Sequence, residues 1–97
     1  MRLKLMRKYP PQRVIAVDVD GTLIINGIVN EKLVNLCKKK KKEGFTMILW
    51  SAGGQNHAIK AAKLSGLNDV FDHIISKPGY IIDDMGWNLV KYTEIIY

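Results

Sequence analysis

Short apolar runs alternate along this chain with longer stretches in which apolar residues recur at helical spacing. The first run, Arg13-Val14-Ile15-Ala16-Val17, is rich in β-branched residues and ends at Asp18, which predicts a buried parallel strand. Residues 23–29 hold Asn26-Gly27 between apolar pairs, a hairpin-turn signal. Asn30 can cap a helix that begins at Glu31, with Leu33, Val34, Leu36 and Cys37 on its apolar face and Gly44 at its end. Residues 45–50 predict a second buried strand. Ser51-Ala52-Gly53-Gly54 then turns into a helix over residues 56–64, closed by Gly66. Residues 70–75 predict a third strand, 80–82 a fourth, 87–91 a short helical turn and 93–97 a short edge strand.

Strands alternating with helices at this spacing predict an α/β fold: a single small Rossmann-like domain, with a parallel sheet flanked by helices and no cap domain. Residues 13–97 form that core. Residues 1–12 form a basic arm with Arg2, Lys4, Arg7 and Lys8, ending in Pro10-Pro11, which cannot donate to a ladder. Crossovers in such sheets are right-handed. Ligands bind beyond the carboxyl ends of the strands. Asp18, Ser51, Lys77 and Asp83 each fall at or just after a predicted strand end, so distant residues are expected to meet at one edge.

Composition narrows the setting. A chain of 97 residues with 47% hydrophobic positions supports one core. It has no apolar run of the ~20 residues a membrane span needs, and its basic N-terminus lacks the apolar stretch of a secretory signal. Its single cysteine, Cys37, cannot form an intramolecular disulfide and fits a reducing, cytoplasmic setting as a buried, inert thiol. A core this small also favours self-association into a homo-oligomer. The formal charge is +6. Asp18, Asp20, Asp83 and Asp84 belong to the candidate site, which leaves the outer surface positive and suited to anionic partners. The lysine run 38–42 reads as a solvated helix face, with contact to a polyanion as the sharper alternative. No nucleic-acid-reading motif accompanies it.

Acids gathered at one sheet edge need compensation. Two unit charges roughly 4 Å apart repel by about 4 kcal/mol at an effective dielectric of ~20. An all-oxygen site suits Mg²⁺, which also binds a substrate phosphate. The alternative is that Asp18 and Asp20 merely cap the loop after their strand.

Asp18-Val19-Asp20-Gly21-Thr22-Leu23 after an apolar strand resembles the first motif of the haloacid dehalogenase superfamily. Ser51 after Ile48-Leu49-Trp50 resembles the second, Lys77 the third, and Asp83-Asp84 after Ile81-Ile82 the fourth. The resemblance implies a compact, capless, Mg²⁺-dependent phosphatase with residues 13–97 as its hydrolase core. Asp18 would attack phosphorus and form an aspartyl-phosphate. Asp20 would protonate the leaving group and then activate water. Mg²⁺ would be held by Asp18, the Asp20 carbonyl and Asp83, with Asp84 behind it or bound through water. Ser51, the Ala52 N–H and Lys77 would bind the phosphoryl oxygens. Gly21 would permit the tight turn. His57 and His73, without paired ligand spacing, read as structural or exposed.

The chain departs from that pattern in two places. Only residues 78–82 separate Lys77 from Asp83, and Ala52-Gly53-Gly54 stands where compact members often carry Gly-Arg. Residues 23–30 leave room for a flap hairpin only. An open site of this kind accepts large substrates, including a phosphorylated polynucleotide end, as well as small phosphorylated molecules. A phosphotransferase would use the same residues. The competing class is a non-catalytic phosphate- or nucleic-acid-binding or regulatory module on a degenerate scaffold of the same type.

Overall fold

The computed structural model describes residues 9–90, 93 and 94. In chain order the elements are β1 (Val14–Asp18), β2 (Ile24–Ile25), β3 (Ile28–Val29), α1 (Glu31–Lys42), β4 (Thr46–Ser51), α2 (Gln55–Ser65), β5 (His73–Ser76) and a 3₁₀ turn over Gly86–Leu89. Three of the strands make a parallel sheet in the order β1-β4-β5. Ile15 lies beside Met47 and Val17 beside Leu49, and Leu49 in turn beside Ile74. β2 and β3 form a separate antiparallel hairpin around Asn26-Gly27, with Ile25 paired to Ile28. Both turn residues have positive φ, as a tight two-residue connection demands.

The strand periodicity decides which side chains enter the core. Met47, Leu49 and Ser51 alternate inward along β4 and are buried. Leu33, Val34 and Cys37 of α1 and Ala58, Ala61 and Ala62 of α2 close over them in one cluster with Val17, Val19, Leu23, Leu67 and Phe71. The alanines let α2 approach the sheet closely. The opposite sheet positions stay partly open, with Val14 48% and Ile75 39% exposed. Among the described residues the core cluster therefore lies on one face of the sheet. Burial pushes the Cys37 thiol up to about 11, in keeping with an inert cysteine.

The helix ends follow local chemistry. Asn30 Oδ1 accepts from the Leu33 N–H at 3.4 Å, while its Nδ2 donates to the Thr22 carbonyl at 3.1 Å. One cap thus starts α1 and ties it to the loop after β1. Gly66 ends α2 in the left-handed conformation. The last turn of α1 carries Lys39, Lys40, Lys41 and Lys42, where cations complement the helix dipole. Lys39 and Lys40 pair with Glu43, Lys41 pairs with Asp72, and the Phe45 ring lies under both Lys40 and Arg13. Much of the lysine run is therefore engaged within the chain.

Two strand expectations are corrected. The third strand begins at His73, three positions later than the pattern at 70–75 predicts. Residues 68–70 instead turn after α2, and Asp72 bonds Met47 twice: its N–H donates to the Met47 carbonyl and its Oδ2 accepts from the Met47 N–H, both at 2.8 Å. The fourth strand, 80–82, does not form: the segment has no regular pairing, and Tyr80 and Ile82 are 84% and 94% exposed. Pro78 cannot donate a ladder bond, and the Pro78-Gly79 pair turns the chain before it can align beside β5. The helical turn expected at 87–91 is the 3₁₀ turn Gly86–Leu89. Residues 93 and 94 carry no regular structure. The remainder of the predicted edge strand, 95–97, and residues 1–8 of the basic arm lie outside the described residues. No helix among the described residues is long and apolar enough to cross a membrane.

Two stability predictions follow from the core and from Asp72. Leu49 is fully buried in the central strand, so Leu49→Ala should cost about 2–5 kcal/mol in urea unfolding, against under about 0.5 kcal/mol for exposed Ile28→Ala. The hydrogen bond from Lys41, then that from the Met47 N–H, holds the Asp72 carboxyl below the usual carboxylate range. A carboxyl with a lowered folded pKa stabilises the fold above its unfolded pKa, and that stability is lost as pH falls through the folded value. Asp72→Asn should flatten the acid limb of a stability-against-pH curve below the ordinary carboxylate range while leaving its shape near neutrality unchanged.

Candidate functional site

Asp18 is the last residue of β1, level with Trp50 of β4. One step further along β4, Ser51 is level with Ser76, the last residue of β5, and Lys77 follows. Parallel register thus delivers Asp18, Ser51 and Lys77 to the same carboxyl edge. The Lys77 N–H donates to the Ser51 carbonyl at 2.9 Å, which fixes the start of its segment. Its Nζ then reaches Asp18 Oδ1 at 3.2 Å. The other carboxylate oxygen, Oδ2, accepts from the Thr22 hydroxyl at 3.1 Å. Asp18 is thereby held at both oxygens while about a third of its side chain remains open to solvent.

The loop that places Thr22 is tightly wound. The Leu23 and Ile24 N–H groups both donate to the Val19 carbonyl, at 2.9 and 3.0 Å, and Gly21 takes φ +80° to let the chain turn back. Val19 and Leu23 are buried beneath this loop, so Asp20, between them, points outward. Its side chain is 69% exposed and meets His57 in the first turn of α2: Nε2 lies 3.1 Å from Oδ1 and 3.0 Å from Oδ2. Ser51 is buried, and its Oγ accepts from the Gly53 N–H at 2.9 Å. It supports the turn into α2, where exposed Ala52 presents backbone to solvent.

Asp83 and Asp84 stand apart from this group. Asp83 Oδ1 accepts from the Met85 N–H at 2.7 Å, closing a local turn, and both acids are exposed. Among the described residues no three His, Cys, Asp or Glu side chains gather into a metal-holding group. The set Asp18, Asp20 and Asp83 is not assembled, because the strand at 80–82 that was to carry Asp83 to the sheet edge does not form. One or two carboxylates with a substrate phosphate are enough for Mg²⁺. Asp18, at the end of β1, and Asp20, in the loop that follows, are the oxygen donors nearest to where such an ion would sit, and their carboxylates are engaged by Lys77 and Thr22 and by His57.

The family model described as "Protein of unknown function (DUF705)" matches residues 2–91. The chain belongs to this family. The match covers nearly the whole chain, whereas the resemblance to the haloacid dehalogenase superfamily rests on four short segments. Family placement by those segments is corrected to DUF705. No curated protein and no solved structure matches the chain.

Two residues of the DUF705 chain that enter the site had no role in the sequence reading. Thr22 lay inside the quoted run without a function. His57 read as structural or exposed, because its partner is 37 positions away and a lone histidine has no spacing signal. Lys77 and Asp18 are each about a third exposed, and such pairs contribute little to stability. Lys77→Met should therefore shift the urea midpoint by the equivalent of less than about 1 kcal/mol. A larger loss would make the pair a structural clamp.

Proposed function

We propose that this chain is a phosphomonoester hydrolase that works through an aspartyl-phosphate on Asp18. The observation that carries the reading is the Lys77 ammonium 3.2 Å from Asp18 Oδ1 at the carboxyl edge of the parallel sheet, with a second carboxylate, Asp20, two residues on. A carboxylate about a third open to solvent beside a cation is suited to meet an anionic substrate. Lys77 draws the phosphoryl group in and offsets its charge, and Thr22 orients the nucleophile. Asp18 attacks phosphorus, the new O–P bond forms and the ester O–P bond breaks. The departing alkoxide takes a proton from Asp20. Asp20, now ionised, removes a proton from water, the resulting hydroxide attacks phosphorus, inorganic phosphate leaves and the Asp18 carboxylate is restored. The Ala52 N–H and the start of α2 favour the phosphoryl oxygens, and Ser51 holds that turn.

Mg²⁺ is part of the proposal, bound by Asp18 and the Asp20 carbonyl, where it would neutralise phosphate charge. We also read the β1-β4-β5 order, with α1 and α2 in its two crossovers, as a Rossmann-like half-sheet. The separate position of Asp83 favours a second reading, a phosphate-binding module without turnover.

Aryl phosphate hydrolysis separates the two. Turnover should require Mg²⁺, stop on EDTA addition and resume on Mg²⁺ resupply. Asp18→Asn should abolish it, and Asp20→Asn should lower it about 10²–10⁴-fold on alkyl esters. Full activity in Asp18→Asn defeats the nucleophile assignment. Phosphate binding without any turnover supports the binding module. Comparing small esters with an end-phosphorylated oligonucleotide at low and high salt identifies the substrate class.

A further inference from the structure

His57 and Gly53 belong to none of the steps above, yet His57 meets Asp20 and Gly53 lies close against the His57 ring. The imidazole Nε2 is within 3.1 Å of both Asp20 oxygens. An Asp with a 69% exposed side chain on a loop has little else to restrict its rotation. Gly53 shows why the imidazole sits where it does. A Cβ there would fall 3.1 Å from His57 Cδ2, 3.2 Å from Cγ and 3.3 Å from Ser51 Oγ. Gly53 is absent from the positive-φ glycines, so backbone conformation does not require a glycine at this position. Space is tight instead: a side chain there would press on the His57 ring and the buried Ser51 hydroxyl, and the ring would have to give by a few tenths of an ångström. The second glycine in Ala52-Gly53-Gly54, Gly54, has φ +102° and is required by the turn itself.

We propose that His57 is a positioning residue that holds the Asp20 carboxyl group toward the leaving-group oxygen, that Gly53 keeps the room its ring needs, and that the site is built for phosphate esters of alcohols. This inference rests on the phosphohydrolase reading. An alkoxide is a poor leaving group and needs a well-placed acid, whereas a nitrophenolate departs without one. With Nε2 as the donor, the His57 N–H holds one Asp20 oxygen, the other oxygen carries the proton that passes to the leaving group, and the imidazole touches no reacting atom. Gln retains an amide N–H near the position of Nε2, so His57→Gln keeps the donor.

The test compares kcat and KM for glycerol 2-phosphate and p-nitrophenyl phosphate, with Mg²⁺ present and thermal melts confirming folding. His57→Ala should lower kcat on the alkyl ester about 10–100-fold and on the aryl ester less than about 3-fold, with KM unchanged. His57→Gln should recover most of the alkyl rate. Gly53→Ala should reproduce the selective alkyl loss with the imidazole still present. In an Asp20→Asn background, His57→Ala should have no further effect, as expected for residues that act as a unit. Equal losses on both esters, or a loss that adds to that of Asp20→Asn, overturn the inference and leave the phosphohydrolase reading standing. No wild-type turnover on either ester overturns both.

Discussion

The in-register pairing of β4 with β1 on one side and β5 on the other is the constraint on which the rest depends. It fixes two things together. On its inward face Met47 and Leu49 meet α1 and α2 and form the centre of the core. At its carboxyl end the same register brings together Asp18 at the end of β1, Ser51 at the end of β4 and Lys77 just after β5. A slip of one residue would send the apolar set to the wrong face and separate Lys77 from Asp18. Stability and site assembly are therefore enforced by the same hydrogen bonds.

Elements with a strong local cause were legible in the sequence. Asn30 starts α1 through its side chain and Gly66 stops α2 through its backbone, both at the expected positions. The apolar runs that become β1 and β4 have neighbours on the sheet and keep their character. What was not legible depends on partners distant in the chain. The apolar triplet at 80–82 looks like a strand in isolation, but Pro78-Gly79 denies it alignment with β5. The start of β5 was misplaced because Val70 and Phe71 pack on the core from a turn. Phe71 is buried there without belonging to the sheet.

The site divides along the same line. Asp18, Ser51 and Lys77 could be placed at one edge from strand ends alone. Asp83 could not, since its placement relied on the missing strand. His57 was invisible because its contact with Asp20 comes from the first turn of α2, 37 positions away. Family membership also depends on the whole chain. Four short segments resembled one superfamily, whereas the match over residues 2–91 places the chain in DUF705. The chemistry argued for Asp18 therefore stands on the geometry around it. That geometry is two held oxygens, a lysine across the sheet and a second carboxylate on the loop that follows.

The central claim is covalent catalysis at Asp18, and the most direct measurement is mass analysis of the acid-quenched protein during turnover of a phosphomonoester with Mg²⁺. The account predicts a transient gain of one phosphoryl group, located on the peptide that carries Asp18 and absent in Asp18→Asn. Steady turnover with the label on another residue, or with no label at any quench time while Asp18→Asn stays active, would contradict it.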